Sequence, residues 1–378
     1  MRVLIVNPRF FVYGGAELLI VELCRYLTRQ NVEHALLTTA IIPEVAQALA
    51  KTRIIISPCG WNNVKIYFHL WRAVRRHAPE YDLINVHNFP AEFSAFLRRQ
   101  PFVWMCNEPE LYLRKINTKS RRGKMLGALV FLFERWIVRN FISKTIVSDS
   151  FNARRFKFLY GIEPNVIHYG IDYEFFSVPD ESFVNRLKSQ WGGRFVMLHV
   201  GIMTPLKNQL RSLQVLYEVK KSIPDCLLVL AGCWENAYKS LLDSFIAENQ
   251  LAENVLFTGH IDRQSLKNYY HSCNVLLHPV SSQGGWLAPF EALCAGLPIV
   301  VAPEMTASDL ITREHLGIVT GNYAEVVRNI YEQPSSYQAM ARHGKQWVRE
   351  NLSWNKFCLG MLDVFNAALA GENRSCSR

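Results

Sequence analysis

The chain has 378 residues, 49% of them hydrophobic and 20% charged, which excludes a disordered or fibrous protein and predicts two domains, since one hydrophobic core rarely serves this length. No uninterrupted apolar run reaches the ~18 residues of a membrane-spanning helix, and the apolar N-terminus is too short for a signal peptide. Nine cysteines without a CxxC pair or a His/Cys ligand spacing argue against structural zinc and indicate reduced thiols in a cytosolic setting.

The net charge of +10 is unevenly distributed. Residues 1–172 contain 24 Lys or Arg against 13 Asp or Glu, whereas the remainder of the chain is nearly balanced. This asymmetry indicates that the first half meets a polyanionic surface, either membrane headgroups or nucleic acid.

The first half alternates short strands with helical stretches, which is typical of a parallel α/β sheet. We predict a helix from Gly14 to Thr28 and strands over residues 3–6, 33–39, 82–87, 102–105, 144–148 and 166–168. Polar or glycine pairs follow most of these strands, namely Gly14-Gly15, His87-Asn88, Asn107-Glu108, Ser148-Asp149 and Tyr169-Gly170. Because ligands gather at the carboxyl ends of the strands in such sheets, these pairs are candidate binding residues.

A basic and an apolar segment stand side by side near the middle of the first half. Six of the eleven residues in Arg114–Lys124 are Lys or Arg, and residues 125–138 are almost wholly apolar. Basic residues beside Leu, Phe and Trp are typical of a helix at a membrane interface. The alternative is a solvated basic run beside a packed helix. We predict a mixture, in which the apolar run packs on the first sheet and the basic cluster attracts lipid phosphates.

The second half repeats the α/β pattern after a polar stretch. We predict strands over 195–200, 226–231 and 255–259, with helices over 208–222 and up to about residue 249. The resulting organisation is a first domain over 1–172, a linker over 173–192 and a second domain over 193–353. A last helix, about 354–370, is long enough to pack back on the first domain.

Residues 274–301 form the most informative segment. They predict a strand to His278, a loop containing Gly284 and Gly285, a helix carrying Glu291, and a further strand after Gly296. Glycines let the backbone approach a ligand, and a helix start directs unpaired N–H groups toward it. With Glu291 placed to accept hydrogen bonds from a polyol, this pattern fits a diphosphate joined to a ribose. An ordinary strand-to-helix turn with a solvated glutamate is the alternative.

Five segments in this order resemble the retaining glycosyltransferases of the GT-B type with two Rossmann-like domains, specifically family four. The similarity covers nearly the whole chain and rests on residues 14–17, 166–172, 201–207, 255–259 and 283–291. It implies two α/β domains facing each other across a cleft, a nucleoside diphosphate sugar bound by the second domain, and an acceptor bound by the first.

The resemblance also implies roles for individual residues. Glu291 would bind the ribose hydroxyls, the amides around Trp286 and Leu287 the diphosphate, and Lys207, after Gly201, the charge that develops on the leaving phosphate. The backbone of Gly259, His260 and Ile261 would meet the nucleobase, and the Gly14-Gly15 loop would face the diphosphate or the acceptor. His87 and Glu108 are candidates for acceptor or acid–base roles, each with a structural alternative. No metal and no other cofactor is implied.

Three positions depart from the family pattern. Gln283 replaces the first of two expected glutamates and cannot act as a carboxylate nucleophile, Ile202 replaces an arginine, and Asn107 replaces a histidine.

We therefore predict a metal-independent retaining hexosyltransferase that moves a hexose from a UDP- or GDP-sugar to a glycan or lipid-linked acceptor in polysaccharide or glycolipid synthesis. We expect it in the cytoplasm, peripheral on the inner face of the membrane. The alternatives are a non-catalytic subunit that binds nucleotide sugar and an epimerase on the same fold. No motif supports nucleic-acid binding.

Overall fold

The computed structural model describes residues 1–11, 14–59, 63–109, 121–281 and 286–371, and it divides into two compact units. The first unit comprises the chain before Ile171 together with the helix that begins at Trp354, and the second unit is Ile171–Ser353. Each unit is built on one parallel β-sheet, so the predicted α/β class is confirmed.

The first unit has a seven-stranded sheet. Its strands are β1 (Arg2–Val6), β2 (Glu33–Thr38), β3 (Arg53–Ile56), β4 (Leu83–His87), β5 (Phe102–Met105), β6 (Lys144–Val147) and β7 (Asn165–Val166), in the spatial order β3-β2-β1-β4-β5-β6-β7. All of the neighbouring pairs are parallel. The central strands are buried along their whole length because helices cover both faces of such a sheet.

In the described parts of the first unit, five helices lie between these strands. They are α1 (Gly15–Arg29), α2 (Pro43–Ala48), α3 (Asn63–His77), α4 (Arg121–Phe141) and α5 (Ser150–Tyr160), with short 3₁₀ turns at Ala78–Glu80 and Ala91–Ala95. Local sequence sets the bounds of α5. The Asp149 side chain accepts a hydrogen bond from the Asn152 amide at the start, and Gly161 ends the helix with a φ of 69°.

Helix α4 differs from the prediction for the apolar run. Leu129, Leu132 and Trp136 are 56%, 58% and 45% exposed, whereas Glu134 is fully buried. Only one face of the helix, including Ile137, packs inward. The prediction that the apolar run packs on the sheet is therefore wrong for its outer face. None of the helices in the described ranges is long and apolar enough to cross a membrane.

The second unit has a six-stranded sheet in the order β10-β9-β8-β11-β12-β13. Its strands are β8 (Val196–Val200), β9 (Leu227–Ala231), β10 (Val255–Gly259), β11 (Val275–His278), β12 (Ile299–Val301) and β13 (Ile318–Val319). Its helices are α6 (Tyr173–Ser177), α7 (Glu181–Gln190), α8 (Gln209–Lys220), α9 (Asn236–Glu248), α10 (Arg263–Ser272), α11 (Leu287–Cys294), α12 (Ser308–Arg313), α13 (Tyr323–Glu332) and α14 (Pro334–Asn351), with a 3₁₀ turn at Ala252–Asn254.

The segment 173–192, predicted as a linker, instead contains α6 and α7. Both helices pack within the second unit, α7 against α10 and α6 against α11. The last helix, α15 (Trp354–Leu369), packs against α1 and β5 of the first unit. Gly170 allows its close approach, because a methyl group on Gly170 would stand 2.5 Å from the Cα of Trp354.

Candidate active site

A pair of glycines follows two neighbouring strands of the second sheet. Gly201 follows β8 with a φ of 146°, and Gly232 follows β9 with a φ of 149°. A methyl group on Gly232 would lie 2.2 Å from the carbonyl oxygen of Gly201, so this position admits only glycine without backbone movement. The pair is held in place by hydrogen bonds from the Gly201 amide to Ala231 (2.9 Å) and from the Gly232 amide to Gly259 (2.9 Å).

Lys207 lies directly over the first of these glycines. A methyl group on Gly201 would be 3.6 Å from the aliphatic stem of Lys207. The loop that carries the lysine is fixed to the segment after β11 by a 2.9 Å bond from the Ser281 amide to the Leu206 carbonyl, and by a 3.0 Å bond from Asn208 Nδ2 to the Pro279 carbonyl. The carboxyl ends of β8 and β11 therefore share one cationic side chain.

The positive charge of Lys207 acts on His199, a buried residue of the sheet. The ring of His199 on β8 is fully buried and hydrogen-bonded to Ser212 (2.8 Å), and its pKa is lowered to about 3, chiefly by burial and secondly by the positive charge of Lys207. His199 therefore stays neutral at physiological pH. His199 therefore adds no positive charge to that of Lys207 at this end of the sheet.

Glu291 projects from α11 toward α10. The hydroxyl of the buried Tyr270 donates a 2.9 Å hydrogen bond to its Oε2 atom. Burial raises the pKa of Glu291 to about 7, while the Tyr270 bond and the charge of Arg263 act in the opposite direction. The carboxyl group therefore titrates near physiological pH. In its ionised form it can accept hydrogen bonds from two adjacent hydroxyl groups.

The glycine loop before α11 is only partly described. Gln283, Gly284 and Gly285 lie outside the described residues, so their predicted roles remain predictions. The indole of Trp286 is 3% exposed and packs on Phe290 with ring centroids 4.4 Å apart. Trp286 thus packs under the start of the helix, and the amides of Trp286 and Leu287 occupy the turn predicted to bind diphosphate.

The predicted nucleobase segment follows β10. Gly259 has a φ of 69°, and a methyl group there would contact the ring of Trp234 at 3.8 Å. His260 is exposed and Ile261 is half-buried. Asp262 then starts α10 by accepting a 2.7 Å hydrogen bond from the Ser265 amide. This turn lies beside the Gly232 bond described above, so it belongs to the same edge of the sheet.

The first unit places the start of α1 at the corresponding edge of its own sheet. Helix α1 begins at Gly15, and the Leu18 amide is the first to bond back, to the Gly14 carbonyl at 3.0 Å. The backbone amides of Gly14 and Glu17 are instead hydrogen-bonded to the Glu17 carboxyl group. Glu17 lies on this turn, and burial raises its pKa. The ligand of Gly14 and Gly15 remains a prediction.

A row of carboxamides joins the strand ends of the first unit. Asn88, with a φ of 57°, donates to Asn7 (3.0 Å), and Asn107 donates to Asn88 (2.7 Å). The Tyr169 hydroxyl donates to Asn107 Oδ1 (2.9 Å), and Asn152 donates to the Asn107 carbonyl (3.3 Å). Asn107, which replaces the family histidine, is thus held from both ends of its side chain.

The structure separates the two acid–base candidates of this unit. His87 is fully buried, hydrogen-bonded to Asn85 at 2.7 Å, and burial lowers its pKa to about 3. These features contradict a role at the ligand surface and favour the structural alternative. Glu108 is half-buried just beyond β5, next to Asn107. Glu108 therefore remains a candidate for an acceptor or acid–base role.

Two residues of the site were missed by the sequence analysis. Tyr270 is 21 positions from its partner Glu291, and no sequence signal joins the two. Gly232 was recognised only as the end of a strand, although a glycine after a buried strand is itself a signal of close backbone approach.

The family models match both units of this chain. The model described as Glycosyltransferase Family 4 covers residues 13–175, and the one described as Glycosyl transferases group 1 covers residues 183–347. The chain belongs to the GT-B glycosyltransferases of family 4, group 1. The resemblance to the family-four GT-B glycosyltransferases is confirmed, and the retaining mechanism stays a prediction.

Individual relatives are distant. The chain is 24% identical over 263 residues to a glycogen synthase of Mycobacterium tuberculosis, covering 67% of this chain and 61% of that protein. It is 24% identical over 199 residues to a GDP-mannose-dependent phosphatidylinositol monomannoside mannosyltransferase of Mycolicibacterium smegmatis, covering 49% and 51%. It therefore spans between half and two thirds of the length of these two relatives.

Solved structures agree with the fold along the whole chain. Anabaena HepE in complex with UDP-glucose aligns with a TM-score of 0.79 at 17% identity, covering 97% of this chain and 100% of that one. WaaG, a glycosyltransferase involved in lipopolysaccharide biosynthesis, aligns with a TM-score of 0.75 at 17% identity, covering 96% and 99%. At this identity the likeness establishes the fold, and the chemistry must be argued from the residues.

Proposed function

We propose that this protein is a retaining hexosyltransferase that transfers a hexose from a UDP- or GDP-sugar to a glycan or lipid-linked acceptor. The arrangement that carries the proposal is the edge of the second sheet. There Gly201 and Gly232 allow a ligand to approach the backbone, Lys207 supplies a cation, and the Glu291 carboxylate can accept hydrogen bonds from hydroxyl groups. The named ligands of HepE, UDP and UDP-glucose, have the diphosphate and ribose that these groups suit.

Each group has a distinct task in this reaction. As the bond between the sugar C1 and the phosphate oxygen breaks, negative charge accumulates on the diphosphate. Lys207 and the amides at the start of α11 stabilise that charge, which speeds transfer because the charge is largest in the transition state. Glu291 fixes the ribose and so the position of the reacting bond. With these donors in place we propose that no metal is required.

Retention follows from a front-face substitution. Gln283 cannot form a glycosyl ester, so we propose that the acceptor hydroxyl bonds to C1 on the face that the diphosphate leaves. The departing phosphate oxygen takes the proton of that hydroxyl. Within the first unit, Glu108 and the carboxamides of Asn88 and Asn107 are the groups we propose for positioning a neutral polyhydroxyl acceptor.

A lipid-linked acceptor agrees with the outer face of α4. This helix exposes Leu129, Leu132 and Trp136 and carries the cations Arg122 and Lys124 at its start. An exposed apolar face rimmed by basic residues is typical of proteins that lie on an anionic membrane. We propose that α4 and the basic segment Arg114–Lys124 bring the enzyme to its acceptor on the inner face of the membrane. Residues 114–120 lie outside the described residues.

The proposal is tested with radiolabelled UDP- and GDP-hexoses, with and without membrane lipid extract, in the presence of EDTA. We expect acceptor-dependent transfer of label that EDTA does not abolish, and an α-linked product from an α-linked donor. Free interconverted nucleotide sugar would instead identify an epimerase. Donor binding without any product would identify a non-catalytic subunit, the alternative kept open by Gln283, Ile202 and Asn107.

A further inference from the structure

The loop Leu97–Gln100 of the first unit lines an open pocket of about 510 Å³. Gln100 lies just before β5, so the pocket is at the amino end of this strand. The candidate site residues Asn88 and Asn107 follow the carboxyl ends of β4 and β5, at the opposite edge of the sheet. The pocket is therefore separate from the acceptor groups proposed above.

Arg98 gives this pocket hydrogen-bond donors that lack an acceptor in the described part of the chain. Its Nε and Nη2 atoms are buried and have no hydrogen-bond partner among the described residues. Burial and the positive charge of Arg75 both lower its pKa, and no carboxylate contributes to this shift. Buried donors without a hydrogen bond are costly, and the planar donors of a guanidinium group match two oxygens of a phosphate.

The surroundings show which kind of anion fits. Arg99 and, on α3, Arg75 are exposed, and the positive charge of Arg75 acts on Arg98, so the pocket has further cations beside it. Leu97 is 65% exposed and has a φ of 58°, an unfavourable conformation for leucine that directs an apolar side chain outward. A phosphate group attached to an apolar body matches both features.

Aromatic contacts join the pocket to the exposed helices. The Phe96 ring lies 5.9 Å from the ring of Trp136 on α4, and the Phe96 carbonyl accepts a 3.1 Å hydrogen bond from Trp71 on α3. Trp71 in turn stacks on Phe68, which is 62% exposed. The loop thus lies between two partly exposed aromatic groups, an arrangement suited to the boundary between headgroups and acyl chains.

We propose that Leu97–Gln100 is a lipid headgroup site, in which Arg98, flanked by Arg99 and Arg75, binds the phosphate of an anionic phospholipid while Leu97 enters the acyl region. It is a second membrane contact in addition to Arg114–Lys124, and it does not depend on the identity of the donor or of the acceptor.

The test measures partitioning of the full chain onto vesicles of phosphatidylglycerol mixed with phosphatidylcholine, and onto phosphatidylcholine alone. One exposed basic residue near an anionic surface contributes about fivefold to partitioning. We expect Arg98→Gln to reduce partitioning onto the anionic vesicles at least tenfold, because it removes a bound phosphate as well as a charge. Arg99→Gln, which removes the same charge one position away, should stay within about fivefold.

Arg186→Gln on α7 of the second unit is the control for loss of an exposed arginine and should change nothing. Thermal unfolding and UDP-glucose binding of Arg98→Gln should match the unchanged protein, which separates this test from that of the proposed transferase. Equal losses of vesicle partitioning for Arg98→Gln and Arg99→Gln would mean that the loop acts only through its total charge, and would overturn the proposal. Arg98-dependent binding of free glycerol phosphate, with no Arg98 effect on vesicles, would also overturn it.

Discussion

Donor binding should depend on pH through Glu291. Burial raises the pKa of this carboxyl to about 7 in the free protein, and ribose hydroxyls donate hydrogen bonds, which favour the ionised form. Binding of a nucleotide sugar must therefore release the proton that part of the population holds. Affinity then scales with the ionised fraction, so we expect the Kd for UDP-glucose or GDP-mannose to be about tenfold higher at pH 6 than at pH 8.

Isothermal titration calorimetry of the nucleotide sugar measures this dependence. A nucleotide sugar is the appropriate probe because each of its two phosphates is substituted twice and has no group that titrates near pH 7, whereas the terminal phosphate of UDP does. Buffers of different ionisation enthalpy should reveal release of about half a proton per bound donor at pH 7, as a group with a pKa near 7 requires.

Two variants act as matched controls. Glu291→Gln keeps the size of the side chain but cannot titrate, so its weaker binding should be the same at pH 6 and pH 8. Tyr270→Phe removes the hydrogen bond that lowers the pKa of Glu291, so its binding transition should move to higher pH. A pH dependence that survives in Glu291→Gln would refute the assignment of this carboxyl to the ribose.

The raised pKa of Glu291 should also affect the stability of the free protein. A folded pKa above the unfolded value means that the folded state retains a proton between pH 4.5 and about 7 that the unfolded chain loses. Stability should therefore fall across this window and level off above it, by an amount on the order of 3 kcal/mol at most. Glu291→Gln should lack this fall, as urea unfolding at pH 5 and pH 8 would show.

Four other predictions concern separate features. Lys207→Gln should weaken nucleotide-sugar binding about ten- to a hundredfold in calorimetry, as expected for loss of a charge-assisted contact. Gly232→Ala should destabilise the protein by about 1–3 kcal/mol and abolish donor binding, whereas Gly321→Ala, where a methyl group meets no atom within 4 Å, should be neutral. Leu132→Glu on α4 should lower vesicle partitioning by at least about tenfold without changing thermal unfolding. Glu134→Gln should be stabilising at pH 9 but not at pH 4, since burial raises the pKa of Glu134 to about 8 and the stability lost between pH 4.5 and 8 would be regained.

Most strands could be predicted from the sequence because buried parallel strands are short apolar runs ended by glycine or polar residues. β5 and β10 were predicted with their observed bounds, and the others to within two residues where they were predicted. β3 (Arg53–Ile56) and β13 (Ile318–Val319) were missed because each is a short strand at the edge of its sheet, of four and two residues.

The predicted linker failed for a different reason. The segment 173–192 is polar overall, yet Asp172 and Asp180 each accept a backbone hydrogen bond at the start of a helix. The buried residues of these two helices, Val184 and Leu187 among them, are few and spaced one turn apart. These caps were readable signals, but overall polarity outweighed them in the interpretation.

The candidate site shows where sequence reasoning ends. Lys207 and Glu291 were identified from motif and resemblance, but the state of the carboxyl depends on Tyr270, a tertiary contact. His87 could not be assigned because its position at a strand end is compatible with a buried or an exposed ring. The direction of that side chain depends on packing within the sheet, where it meets Asn85.

The orientation of α4 is the least expected feature of the fold. Its inner face carries Glu134, which accepts a 2.7 Å hydrogen bond from the Tyr160 hydroxyl, and the neighbouring Glu92 is also fully buried. Burial raises the pKa of both carboxyls, and the charge of Glu134 raises that of Glu92 further. The inner face also buries Ile137 and Val138, so the helix is apolar on both its inner and its outer face. A helix with two apolar faces can bury only one of them in the unit, and the exposed Leu129 and Leu132 therefore suit the apolar partner that we propose for this helix, the membrane.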